Sequence, residues 1–222
     1  LKIKVRESIR QRQGLADAGE AVAKINHDLL NMLSSILLVT DQLESSEDPK
    51  VAQVAPVVIR ATEQATKLCQ NMLDYLSELP PPSPENLHMS ALMEDLAAAT
   101  DIKLDYSGPE ILVTDRLMLY RIFLNLFRNA QDAGAKNIAI DIWQAGHLAV
   151  IDISDNGPGI DDKIKDRIFS AFTSGRSSHI GLGLAICLDL ALALEGRLNL
   201  ARSSNEGSAF RLQLPETILT LK

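Results

Sequence analysis

At 222 residues the chain has room for one large domain or two modest ones, and 46% hydrophobic with 23% charged residues describes a soluble globular protein, not a disordered one. A formal net charge of -7 argues against nonspecific nucleic-acid binding, which needs a basic face to displace counterions. Cys69 and Cys187 have neither metal-ligand nor disulfide spacing, no apolar run reaches transmembrane length and no secretory signal is visible, so a reducing compartment is expected.

The chain opens on "LKIKVRESIRQRQ", without an initiator Met and already in a helical pattern, so a fragment with a missing upstream part is expected. Val22, Leu29, Ile36 and Leu43 then recur every seven residues, with Ile25, Met32 and Val39 as the complementary series. This is an a/d heptad pattern. A second helix sets Val58, Ala65, Met72 and Leu79 against Val54, Ala61, Leu68 and Tyr75. "ESSEDPK" supplies the turn between them, with Pro49 suited to the first helical position, and Pro56 predicts a kink or a later start. A helical hairpin cannot cover two apolar seams alone. Pairing two hairpins into an antiparallel four-helix bundle would do so, which predicts a homodimer.

"LPPPSPEN" cannot continue a helix and favours an extended, semi-rigid linker. The expected division is a helical hairpin over 1–79, a Pro-rich linker over 80–86 and a mixed domain over 87–222. In that domain "ALMEDLAAAT" is a predicted helix, "IKLDYS" and "EILVTD" short strands, and residues 116–133 a long helix. "KNIAIDIWQ" and "HLAVIDISD" alternate as strands do. A helix around 161–169, a Gly-rich segment, a helix over about 183–195 and strands "RLNLARSS" and "SAFRLQLP" follow. The predicted class is multidomain α and α+β, with a sandwich whose sheet is covered on one face by helices.

Candidate chemistry begins at "AKINHDLLNML". With Val22 at position a, His27 falls at f, farthest from the seam, with Asn31 one turn on and Asp28 beside it. Exposed polar residues are common on helices, so this stripe alone is also what a solvated face would show. "NLFRNAQDA" puts Asn125 and Asn129 on one helix face; amide oxygens suit Mg²⁺, and surface amides use the same residues. "DISDNGPGI" sets Asp155, Gly157 and Gly159 after a strand, where the backbone can approach a flat ligand and a carboxylate can accept from an exocyclic amine; a plain strand-end turn uses the same types. "GLGLAI" has Gly181 and Gly183 opening a helix, which leaves backbone N–H groups free for phosphate oxygens. "IFSAFTSGRSS" carries Phe169 and Phe172, a spacing also typical of core residues, next to Gly and Ser suited to a mobile lid.

The order of these segments resembles the N, G1, F and G2 boxes of the sensor histidine kinases, within the ATPases of the Bergerat nucleotide fold. "HDLLN" in the preceding hairpin resembles their H box, and the likeness spans residues 1 to about 215. It implies ATP and Mg²⁺ as cofactors. His27 would accept the phosphoryl group, with Asp28 orienting the imidazole or taking its proton. Asn129 would ligate Mg²⁺, with Asn125 near metal and phosphates. Asp155 would hold the adenine amino group, Gly157 and Gly159 would permit its approach, and Phe172 would border the nucleotide. Gly181 and Gly183 would hinge the lid and bind phosphates, Ser208 would set a hydroxyl near adenine, and Arg176 could touch the γ-phosphate. The implied protein is the cytoplasmic catalytic core of a homodimer that passes phosphate to an Asp of a response-regulator receiver domain. Any membrane attachment would come through upstream segments. Asn31 is a candidate for orienting water in the reverse phosphatase reaction.

Three positions depart from that pattern. Met32 stands where many relatives have Pro, which predicts a straighter helix. Asp132 replaces a frequent basic residue, whose phosphate contact Arg128 could supply. Asn125 stands where hydrolytic relatives such as DNA gyrase and the mismatch-repair ATPases carry a water-activating Glu, which favours transfer over hydrolysis. The rival readings are a scaffold or phosphotransfer protein with a decayed ATP domain, and a free ATPase or Ser/Thr kinase.

Overall fold

Two helices, α1 (Gly19–Glu44) and α2 (Pro49–Leu76), form the described part of the first unit in the computed structural model, which describes residues 19–44, 48–76, 79–173 and 181–219. The chain divides into units Leu1–Glu78 and Leu79–Lys222. The opening segment, residues 45–47 of the expected turn and Arg176, expected in a lid, lie outside the described residues.

Along α1 the shielded positions run Asn26, Leu30, Leu33, Leu37 and Thr40; along α2 they include Ala55, Ile59, Thr62, Thr66, Cys69 and Leu73. Asn26 Nδ2 donates across the pair to the Cys69 carbonyl at 2.8 Å. The threonine hydroxyls are satisfied within their own helices, Thr40 on Ile36 O at 2.7 Å and Thr62 on Val58 O at 2.8 Å, so their burial strands no polar group. The expected seam lies elsewhere: Leu29, Met32, Ile36, Val39, Val54, Val58 and Leu68 are all exposed. Each helix carries two apolar stripes. The hairpin closes on the one interrupted by small and polar residues, leaving the bulkier one outward. The side chains of Val22, Ile25, Leu43 and Tyr75 fall outside the description. α2 also starts at Pro49 and continues through Pro56, which forfeits one intrahelical bond without ending the helix.

The second unit begins with β1 (Glu85–His88), which takes two residues from the stretch expected to be linker. There follow α3 (Met89–Ala99), β2 (Lys103–Ser107), β3 (Ile111–Thr114), α4 (Arg116–Asp132), β4 (Asn137–Ala145) and β5 (Leu148–Asp155). A four-residue α5 (Asp162–Lys165), α6 (Gly183–Ala193), β6 (Arg197–Ser204), β7 (Gly207–Pro215) and a 3-10 turn (Glu216–Ile218) complete it. β1 and β3 pair antiparallel; the main sheet has order β2-β4-β5-β7-β6, antiparallel except for β2 with β4.

One sheet face carries Ile138, Ile140, Ile151, Ile153, Phe210 and Leu212, all buried. Helix α4 buries Leu119, Ile122, Phe123, Leu126 and Phe127, with the two rings stacked at 6.0 Å between centroids. Helix α6 buries Ile186, Cys187 and Leu190. Each large side chain so covered contributes about 1.5–3 kcal/mol of transfer free energy, which fixes both helices on the sheet. On the opposite face Arg211 grips Asp152 through two 2.7 Å bonds and lies 5.5 Å from the Trp143 ring centroid. The second unit is thus a mixed α/β fold with helices over one face of its sheet, and no described helix is long and apolar enough to cross a membrane.

Candidate active site

Helix α4 starts at Asp115, whose Oδ1 accepts the Met118 N–H at 2.8 Å and satisfies one of the orphan donors of the first turn. Two to four turns on, Asn125 and Asn129 are half-buried, because their neighbours Ile122, Leu126 and Ala130 are held in the core. Gly183 opens α6 directly opposite. A Cβ on Gly183 would lie 3.5 Å from Asn125 Oδ1 and 4.0 Å from Asn129 Nδ2, so the missing side chain leaves α6's first turn open toward both amides. The free N–H groups of that turn give the space a positive end. Buried Leu182 fixes the entry to α6, and Gly181, at φ +74, brings the chain past Thr173, whose carbonyl oxygen a Cβ would meet at 2.2 Å.

Asp155 ends β5 on the helix-covered face. Its Oδ1 accepts the Gly157 N–H at 2.7 Å, and the Ser208 backbone N–H also donates to the carboxylate. Burial nevertheless holds its pKa above the ordinary value, outweighing both donors. A Cβ on Gly157 would stand 2.8 Å from that same oxygen, and one on Gly159, at φ +78, would meet Ser204 O at 2.1 Å. Ser208 is buried beside Asp155. The Phe pair splits: Phe169 meets Phe210 edge-on at 6.2 Å, whereas Phe172 is exposed with φ 62. Burial pushes the Cys187 thiol up to about 12, so it remains neutral beside Asn125.

Three supporting residues escaped the reading of the sequence. Asn156 Oδ1 accepts both Lys136 N and Asn137 N, at 2.8 and 3.0 Å, clamping the glycine loop to the α4–β4 turn. Gly207, at φ +134, lets β7 pass Asp155 O, which a Cβ would approach to 1.9 Å. Asp115 is the third. Only Asn156, inside "DNGPG", carried a local signal.

In the first unit His27 is exposed on α1. Asn31 Nδ2 lies 3.2 Å from His27 Nδ1, and Asp28 Oδ1 lies 3.7 Å from the same nitrogen. Both contacts are made at Nδ1. Ser35 Oγ donates to Asn31 O at 2.9 Å, one turn further along.

The donor set of the second unit fits a magnesium nucleotide. It offers two amides facing a helix N-terminus, a desolvated carboxylate for an amine, and glycines where side chains would intrude. Among the described residues no group of three or more His, Cys, Asp or Glu could hold a metal, so a cation would take other ligands from phosphates and water.

Residues 114–218 match the family described as histidine kinase-, DNA gyrase B- and HSP90-like ATPase. Over 219 residues the chain is 28% identical to the signal transduction histidine-protein kinase AtoS of Escherichia coli (strain K12), covering 92% of this chain and 36% of AtoS. It is 27% identical to sensor protein FixL of Bradyrhizobium diazoefficiens over 222 residues, covering 90% of this chain and 44% of FixL. The crystal structure of full-length ShkA in complex with AMPPNP shares the fold, with TM-score 0.74 at 20% identity, covering 88% of this chain and 45% of that one. The chain thus spans less than half the length of these curated relatives. Over most of its length the chain is similar to sensor histidine kinases, and residues 114–218 of its second unit carry the match to the histidine kinase-, DNA gyrase B- and HSP90-like ATPases.

Proposed function

We propose that the chain is the catalytic core of a protein-histidine kinase that moves the γ-phosphoryl group of ATP to His27 and thence to an Asp of a response-regulator receiver domain. The observation that carries this reading is the pairing of Asn125 and Asn129 with the bare start of α6. An amide, not a Glu, stands at 125, so the site offers phosphate-binding groups without a base for water.

In this reading Asp155 accepts from the adenine amino group, Gly157 and Gly159 leave room for the ring, and Ser208 stands beside it. Gly181, Gly183 and the first amides of α6 receive phosphate oxygens, and the exposed Phe172 borders the nucleotide. Asn129, with Asn125 alongside, holds Mg²⁺, which neutralises charge on the transferring group. The chain's task is positioning and charge compensation.

At His27 the two contacts pull Nδ1 in opposite senses. The Asn31 amide N–H favours a bare Nδ1, and the Asp28 carboxylate favours Nδ1–H. Only the second tautomer leaves the lone pair on Nε2. We assign Nε2 as nucleophile: its lone pair forms the N–P bond, the β–γ P–O bond breaks, and ADP departs with that electron pair. Asp28 holds, or takes, the Nδ1 proton. Asn31 orients water in the reverse reaction on the regulator; unchanged dephosphorylation by Asn31→Ala would sink that role.

The outward stripe of Leu29, Met32, Ile36 and Val39 with Val54, Val58 and Leu68 supports a dimeric four-helix bundle, since a second copy would cover it. The division into a 1–79 phosphoacceptor hairpin, an 80–86 linker and an 87–222 catalytic domain belongs to the same proposal, as does a cytoplasmic setting.

The deciding experiment is incubation with γ-labelled ATP and Mg²⁺. Wild type takes up acid-labile, base-stable label; His27→Ala and Asn129→Ala take up none. Label persisting on His27→Ala, or an acid-stable product, refutes the assignment, and calorimetry showing no Mg²⁺-dependent ATP affinity would indicate a scaffold.

A further inference from the structure

The Asp115 carboxylate serves two partners at once. Its Oδ1 caps α4 through Met118 N at 2.8 Å, and its Oδ2 accepts the backbone N–H of Ser83 at 2.9 Å. Ser83 lies in the proline run, 32 residues away in sequence. Immediately after it, β1 pairs with β3 from Glu85↔Thr114 to His88↔Ile111, and Met89 N donates to Glu110 O at 2.8 Å. The chain is therefore fastened to the start of α4 from Ser83 onward, and Arg116 pairs with Asp95 of α3 at the same end. Pro84 already restricts Ser83 to extended conformations, which keeps its N–H available at little entropic cost.

A carboxylate hydrogen-bonded to two backbone donors transmits displacement of either one to the other. At 1.5 Å rise per residue, Asn125 and Asn129 sit roughly 15 and 21 Å along the helix from that carboxylate. We propose that Asp115 is a positioning residue that joins the linker between the two units to the helix bearing Asn125 and Asn129. Ser83 is then the first point at which the linker is fastened, and its motion reaches the start of α4 there through the Asp115 carboxylate, ahead of the β1–β3 pairing. This deepens the proposed kinase function and rests on it.

Two single variants break the Ser83 bond and keep the cap. Asp115→Asn retains one oxygen for Met118 N and presents no second acceptor; Ser83→Pro removes the donor within a stretch already rich in proline. Asp115→Ala removes both bonds and measures the cost of the cap. In the full chain, amide exchange at Ser83 should quicken about tenfold or more in Asp115→Asn, the scale expected for a bond to a charged acceptor. Label uptake on wild type should be about threefold or more faster than on either single variant, from lost alignment. The double variant Asp115→Asn/Ser83→Pro should be no slower than the singles, and calorimetric affinity for Mg²⁺–ATP should be unchanged in all three. Equal Ser83 exchange in wild type and Asp115→Asn overturns the proposal. So does full-speed labelling by the variants, or a double variant in which the two losses multiply. A wild type that takes up no label refutes the kinase reading instead, and the exchange measurement still decides the anchor.

Discussion

Gly183→Ala separates holding the nucleotide from holding the fold. Gly183 is helical and not at positive φ, and the added methyl would sit at ordinary contact distance, 3.5 Å, from Asn125 Oδ1. In the apo protein the change should be neutral or stabilising by up to about 1 kcal/mol, from the smaller entropy loss of Ala in a helix. The same methyl occupies the gap between α6 and the two amides, where the proposed site would admit phosphate oxygens, and a tenfold loss of affinity is expected. With ATP at about a hundred times the wild-type Kd, ligand stabilisation is about 2.7 kcal/mol and falls to about 1.4 kcal/mol in the variant. At about 3 °C per kcal/mol for a unit of this size, the ATP-induced rise in Tm should drop from about 8 to about 4 °C while the apo Tm holds or climbs. Differential scanning fluorimetry with and without Mg²⁺–ATP reads both numbers. An unaltered ATP-induced rise would show that the gap is not the phosphate site; a lower apo Tm would show that the methyl does not fit.

Gly159→Ala and Gly134→Ala both place Ala at positive φ, but a Cβ at 134 meets nothing within 4 Å and one at 159 meets Ser204 O at 2.1 Å. Urea unfolding should show a cost of about 1 kcal/mol at 134 and about 3 kcal/mol or more at 159, and equal midpoints would refute the close approach. In the proposed role Asp155 would accept from adenine as the carboxylate, and its raised pKa means that calorimetric ATP affinity should already weaken on acidification above the ordinary Asp value of 3.8. The same group's contribution to apo stability runs the other way, fully present below its unfolded-state pKa and lost as pH rises through the folded one. Affinity that stays flat down to the ordinary value contradicts this. Arg211→Met leaves Asp152 unpaired and largely covered, so thermal melts should show a loss of about 2 kcal/mol, partly recovered by adding Asp152→Asn.

The elements with long, clean patterns were legible in the sequence: α4 from its long, largely apolar run, β4 and β5 from their alternation. β1 was not, because "ENLH" buries one residue and exists only through pairing with β3, far along the chain. α5 came out shorter than its helical pattern, since no side chain of it is buried to extend it. The heptads identified α1 and α2 but not which of two apolar stripes faces inward. That depends on how closely the helices approach, and Asn26, Thr40 and Thr62 belong to the closer face. At the candidate site, residue types and order nominated Asn125, Asn129, Asp155 and Gly183, but the direction of an absent Cβ is a property of the fold alone. Asp115 was not singled out, because its second partner, Ser83, belongs to another stretch of chain.

Asn26 adjoins His27 in sequence, and its amide reaches across to the Cys69 carbonyl. A slide of α1 along α2 by less than a full turn breaks that bond and strands the buried amide, at a penalty of about 1–3 kcal/mol, which holds the two helices in register at this level. The neighbouring His27 imidazole, the proposed phosphoryl acceptor, is thereby held at one height along α2, and tilting or rotating the pair as one piece would move it without breaking the bond.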